Sequence, residues 1–299
     1  MVKSVVMPSI PARRRVIVTA DDFGLSVPVN EAVERAHREG ILTAASLMVA
    51  EPATADAIRR ARALPNLRVG LHVVVVAGRP LLPPDQVPDL VGADGAFGAD
   101  LARAGMRYFF HPRARRQLEA EIRAQFAAFA ASGLAFDHVN AQSHFHLHPT
   151  VFGLILKVAR EYGSQPVRIP FEPFGPSWRA TGDRRGLRWA NAYLLAPWLA
   201  LMRARLRAAH VAHNDRVFGL SDVGHMTPER VLALLRELEP GVTEIFFHCA
   251  TGRWPQIDPA LADYQLEDEL AALTNPATAE LLRALGVEQI AFSDLRRAG

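Results

Sequence analysis

The chain has 299 residues, 49% of them hydrophobic and 22% charged, with a formal net charge of +3. A hydrophobic fraction that large excludes a disordered chain, and so small a net charge supports mild attraction to anionic surfaces or substrates but does not by itself indicate nucleic-acid binding. The only cysteine, Cys249, excludes both an intramolecular disulfide and a thiolate metal cluster within one chain.

Residues 1–15 turn basic too soon for a secretory signal, and no apolar run reaches membrane-spanning length. Residues 16–20 read as a first strand, ending at Asp21 and Asp22. Phe23, Gly24 and Leu25 turn the chain, and Ser26 opens a helix that stops at Gly40. Residues 41–49 read as a second strand, 54–64 as a helix and 69–76 as a third strand carrying His72. Residues 81–101, rich in proline, glycine and aspartate, read as a long loop over one mouth of the fold. A helix over 117–131 leads into a histidine-rich segment, and Pro149 opens a helix over 150–162. Residues 167–169 read as a short strand and 171–186 as irregular chain.

Residues 188–213 differ from their surroundings, with Trp189, Tyr193, Trp198 and several arginines, and Pro197 should interrupt any helix there. An insertion over residues 187–213 is therefore expected, either as a helical cap or lipid-contacting patch or simply packed on its own domain. Helices are expected over 227–238, 260–273 and 278–285, with strands over 243–247, ending at His248, and 287–292. The alternation predicts one α/β domain over residues 1–299 with a barrel-like sheet, an open doubly wound sheet being the alternative.

The densest chemical signal is a ladder at alternate positions: His138, Asn140, Gln142, His144, His146 and His148. Read as a strand, it places all six side chains on one face. A row of imidazoles suits a metal or acid–base site. Asp21 and Asp22 are natural companions, one to bind a cation and one to accept a proton from water, although a helix cap plus an exposed acid is the plain alternative. His72 reads as a ligand or as a core histidine. His248, at a strand end, reads as a proton donor or a structural histidine.

Taken together, Thr19-Ala20-Asp21-Asp22-Phe23-Gly24-Leu25, Gly40-Ile41-Leu42-Thr43, Gly70-Leu71-His72, the segment from His138 to His148 and Glu244-Ile245-Phe246-Phe247-His248 resemble the YdjC-like carbohydrate deacetylase family. His144-Phe145-His146-Leu147-His148-Pro149-Thr150 and the insertion are most similar to its hopanoid biosynthesis-associated branch. The resemblance implies a deformed (β/α) barrel of the glycoside hydrolase/deacetylase type. It implies removal of acetyl from an N-acetylglucosaminyl group on a hopanoid lipid, with one divalent ion, zinc or magnesium, as cofactor. It makes Asp22 and His72 metal ligands, Asp21 the general base and His248 the general acid.

The family pattern has histidine where this chain has Gln142, so the third ligand is Gln142 or His144. On an ideal strand His144 lies about 6–7 Å farther along. Arg168 is expected to bind substrate, to organise the pocket or to make a structural salt bridge. Trp189 and Trp198 are expected to cover the substrate. The resemblance also implies a cytoplasmic protein with peripheral contact at the inner face of the membrane, and it leaves homodimerisation open. A noncatalytic glycolipid-binding protein with a degenerate metal site is the alternative function.

Overall fold

The computed structural model describes residues 13–255 and 257–298. Most of residues 1–15, read above as unlike a signal, therefore lies outside the described residues. The strands are β1 (Arg14–Phe23), β2 (Ala44–Leu47), β3 (Arg68–Val73), β4 (Phe136–Ala141), β5 (Arg216–Phe218), β6 (Gly241–Phe247) and β7 (Glu288–Gln289). They form one sheet in the order β4-β3-β2-β1-β6-β5, with β7 beside β1, and every pairing is parallel. The central strands carry near-continuous apolar runs because both of their faces are buried.

The sheet curls but does not close. Between edge strands β4 and β5 runs irregular chain over 166–171. The Val139 amide donates to the Pro166 carbonyl at 2.8 Å and the Arg168 amide to the Val139 carbonyl at 3.2 Å. On the other side the Val217 amide donates to the Phe171 carbonyl at 2.8 Å. The Asn214 side chain stands in for a strand, accepting from the Ile169 amide at 2.7 Å and donating to its carbonyl at 2.9 Å. The fold is thus an α/β barrel deformed by one seam. The expected strand over 167–169 is this seam, reduced to a single bridge at Val139 and Val167.

Helices cover the outside: α1 (Val27–Glu39), α2 (Thr54–Arg62), α3 (Leu101–Phe110), α4 (Pro112–Ala131), α5 (Pro149–Ala159), α6 (Phe174–Thr181), α7 (Arg185–Tyr193), α8 (Ala196–Ala208), α9 (Pro228–Arg236), α10 (Leu266–Thr274) and α11 (Pro276–Ala284). Ser26 caps α1, accepting from the Val29 amide, and Pro28 sits in its first turn. One whole helix, α6, lies where irregular chain was expected, and α3 and α7 begin at the ends of such segments. Residues 187–213 hold most of α7 and all of α8, with the break at Leu194 and Leu195 and Pro197 in the first turn of α8. Leu199, Met202 and Leu206 of α8 pack on Phe152 and Leu156 of α5. The strand expected over 287–292 is only β7, followed by a 3-10 turn. Among the described residues, no helix is long and apolar enough to cross a membrane.

Candidate active site

In a parallel barrel the side chains that meet a ligand come from the C-terminal strand ends. Asp21 and Asp22 end β1, and an unbroken strand would send them to opposite faces. The structure removes that conflict with a bulge. Ala20 pairs with Ala45 and Phe23 with Leu47, so β1 carries one extra residue, and Asp22 adopts φ 63°. The next turn is held by Asn30, whose Oδ1 accepts from the Gly24 amide at 2.8 Å. Gly24 has φ 102°, and a Cβ there would lie 2.7 Å from the Met48 carbonyl oxygen.

The histidine ladder is not a strand. β4 ends at Ala141, and residues 142–147 form a 3-10 turn kinked at Ser143 and His144, both with φ 51°. Only His138 and Asn140 follow strand alternation, and β4 itself bulges around them. His138 fits against Gly70, where a Cβ would lie 2.5 Å from the imidazole. Its Nδ1 meets Asp137 Oδ2 at 2.8 Å and its Nε2 meets Ser46 Oγ at 2.9 Å, beneath the cavity. His146 is fully buried, and His148 stacks on Phe145 at the start of α5. The shared-face expectation therefore fails after Asn140, because the chain must leave the barrel there.

Asp21, Asp22, His72, Gln142, His144 and His248 nevertheless line one cavity of about 150 Å³, with Val223, Leu261 and Tyr264 completing its wall. Whole-ligand pockets run to roughly 300–1,000 Å³, so this one admits only the end of a substrate. His144 reaches it through the kink rather than along a strand, and its Nδ1 has no hydrogen-bond partner. Arg168, Trp189 and Trp198 do not line the cavity. Trp189 is exposed, and Trp198 packs on Phe152 while donating from Nε1 to the Leu147 carbonyl at 2.7 Å.

Arg168 is fully buried and, of its three expected roles, makes the salt bridge rather than a contact in the cavity. It donates from Nη1 to Asp21 Oδ2 at 2.6 Å and from Nη2 to Asp21 Oδ1 at 3.0 Å. It also donates to both carboxylate oxygens of Glu244 on β6. Asp21 Oδ1 further accepts from Ser46 Oγ at 2.8 Å and Asn140 Nδ2 at 3.0 Å. Burial alone would raise the Asp21 pKa, but the Arg168 charge, with His72 and His248 nearby, holds it well below the usual carboxylate range. Asp21 is therefore held as a carboxylate at neutral pH. Oδ1 is crowded by three donors, so Oδ2 is the oxygen left to accept a proton.

His72 is oriented by the same network. Asn140 must turn its NH2 toward the Asp21 carboxylate, which can only accept, so its Oδ1 faces His72 Nδ1 at 2.7 Å. Nδ1 therefore carries a proton, and in the neutral ring Nε2 is a bare lone pair. That nitrogen lies 3.4 Å from Asp22 Oδ1 and 3.1 Å from Gln142 Oε1. Asp22 Oδ1 is buried without a hydrogen-bond partner. With the ring neutral, three lone-pair-bearing atoms thus face one another, a donor set that fits a divalent cation, whereas an imidazolium would donate to Gln142 Oε1 instead. Among the described residues, no group of three or more His, Cys, Asp and Glu could hold a metal ion, and here the third donor is an amide.

Burial, the Arg168 charge and His146 keep His144 neutral, its pKa pushed well below the usual imidazole value. Burial, Arg168 and His72 lower His146 to about 3. Cys249, beside His248, is buried and its thiol is pushed up, first by burial and then by Glu269, which fits an inert residue.

Sequence reading passed over Glu244, Ser46 and Tyr264. A lone arginine and a lone glutamate, each within an apolar strand-like run, were a usable signal for the Arg168–Glu244 pair. Ser46 and Tyr264 carry no comparable pattern.

Fold and cavity together define an α/β-barrel protein with ionisable and amide groups gathered at its strand ends. The chain belongs to the YdjC-like protein family, whose sequence profile matches residues 15–284. It is 31% identical over 283 residues to a carbohydrate deacetylase of Geobacillus stearothermophilus, covering 94% of this chain and 98% of that one. It is 38% identical over 157 residues to a carbohydrate deacetylase of Brevibacillus brevis, a match spanning 52% of this chain and only 60% of that protein. A crystal structure from Enterococcus faecalis V583, provisionally named a cellobiose-phosphate cleavage protein, shares the fold with a TM-score of 0.71 at 23% identity. That match covers 95% of this chain and 99% of the other.

Proposed function

We propose that this protein is a metal-dependent hydrolase that removes acetyl from an N-acetylglucosamine-type sugar. The observation that carries the reading is the convergence of His72 Nε2, Asp22 Oδ1 and Gln142 Oε1 beside Asp21 and His248. Asp22 and His72 would hold a divalent ion, zinc or magnesium, with Gln142 or His144 as third ligand. When bound, the ion supplies polarisation of the amide carbonyl and of water. Asp21 accepts the proton of the attacking water through Oδ2, while Arg168 fixes the carboxylate. His248 donates a proton to the departing sugar nitrogen. Acetate and a free amino sugar leave. The small cavity takes the acetamido end and leaves the rest of the substrate outside it.

The finer reading is a sugar carried on a hopanoid lipid. The exposed Trp189 on α7 supports it, as an aromatic surface offered to something apolar beyond the cavity. The second reading, a glycolipid-binding protein without turnover, is favoured by Gln142, a neutral and weaker ligand than imidazole.

Acetate release from soluble N-acetylglucosamine oligomers and from an N-acetylglucosaminyl hopanoid, with metal-analysed protein, tests the proposal. Turnover that chelation abolishes and added ion restores is expected. Silence of metal-loaded wild type and of Gln142→His on every acetylated amino sugar would remove the deacetylase reading.

A further inference from the structure

Ten of the eleven large exposed hydrophobic side chains among the described residues fall in two short stretches, residues 101–110 and 187–201. On α3 they include Met106, Phe109 and Phe110, the last 70% exposed. On α7 and its junction with α8 they include Trp189, Tyr193 and Leu194, the last 68% exposed. A soluble surface scatters such residues singly, and their concentration marks a contact face.

The charge pattern of the same stretches is one-sided. Residues 101–118 contain five arginines and residues 184–214 contain six, and neither stretch contains an aspartate or a glutamate. Arg188 is buried on Asp222, and Arg113 reaches Asp89. Among the described residues, no ion pair joins Arg103, Arg115, Arg116, Arg185, Arg205 or Arg207 to a carboxylate.

Both stretches pack on the same turn, at Leu147 and His148. Gly105 of α3 approaches the His148 ring, Phe109 lies 6.2 Å from it, and Trp198 of α8 bonds the preceding residue, Leu147. That junction closes the turn that begins at Gln142, in the wall of the cavity.

We propose that α3 and the α7–α8 pair dock this protein on an anionic lipid bilayer. Aromatic and aliphatic side chains enter the headgroup boundary, and the arginines meet lipid phosphates. Charge decides against a second copy of the chain as occupant: a two-fold contact would bring these arginines onto their own copies with no acid to receive them. The proposal stands apart from the reaction assigned above, since docking needs no substrate.

Vesicle flotation tests it, using phosphatidylcholine vesicles with and without phosphatidylglycerol at low and high salt. Wild type should float with the anionic vesicles, and salt should weaken this binding. Phe109→Ser with Phe110→Ser, and separately Leu194→Ser with Leu201→Ser, should each weaken it by about tenfold or more. Arg115→Glu with Arg116→Glu should lower the dependence on phosphatidylglycerol. Circular dichroism checks folding, and any activity on soluble acetylated sugar should be unchanged in the two serine variants. Absence of wild-type flotation, or variants that bind as wild type does, would overturn the proposal. So would a dimer in sedimentation that the serine variants dissolve without any change in vesicle binding.

Discussion

Arg168 grips Asp21 with both of its terminal nitrogens, at 2.6 and 3.0 Å, and neither residue has a significant surface. The same guanidinium holds Glu244, so one cation serves two buried carboxylates. Arg168→Met would leave both without their counter-charge. Removing one partner of a buried pair costs about 3–5 kcal/mol, so a large fall in the urea midpoint is expected. Arg168→Lys should fall between, since an ammonium cannot reproduce the forked contact.

Stability should decline on mild acidification, and His146 contributes to the decline. Its folded pKa is about 3, lowered by burial, Arg168 and His72 from an ordinary 6.5. Between those values the unfolded chain binds a proton that the folded chain refuses. Stability from this group is thus whole above about pH 6.5 and is lost as pH falls toward about 3, at no more than about 1.4 kcal/mol per pH unit. Urea titrations across that window should show a shallower slope for His146→Leu. An unchanged slope would remove His146 as the cause.

Gln142→His should tighten divalent-ion binding, by about tenfold or more on the scale of changes made around metal ligands. Titration calorimetry measures it without any substrate. Equal affinity in both proteins would mean that residue 142 is not a ligand and would turn attention to His144.

Divalent ion should raise the melting temperature of wild type, and chelation should reverse the rise. Asp22→Asn and His72→Ala should abolish the response, because each removes one of the converging acceptors. A response that survives both changes would place the ion elsewhere.

His248→Gln should lower kcat by roughly 10²–10⁴, the range for a lost proton donor, while leaving the ion-induced thermal shift intact. Loss of the thermal shift as well would make His248 a ligand instead.

The sequence revealed the α/β alternation and the places of most strands, though not β5 or the order within the sheet, because buried strands and their helices alternate with clear punctuation. Asp21, Asp22, His72, Gln142, His144 and His248 were all singled out in the sequence, and the structure gathers them around one cavity. Their arrangement was less legible. Period-two alternation predicts a strand through His148, yet Ser143 and His144 turn left-handed, and no local residue signals that turn as a glycine would. Which of its three expected roles Arg168 takes was not legible for another reason. Its partners come from β1 and β6, far away in sequence, and only the curled sheet brings them together.

The seam over 166–171 sets where this barrel can breathe. It is held by scattered single hydrogen bonds and the Asn214 amide, whereas β1 and β6 share a continuous seven-residue register. Amide protons at Arg168 and Ile169 should consequently exchange with solvent through a local opening of lower free energy than the opening that frees β1. Since Arg168 rides on that segment, each such excursion unclamps Asp21, and the lifetime of the correctly held carboxylate is set by the least regular stretch of the wall.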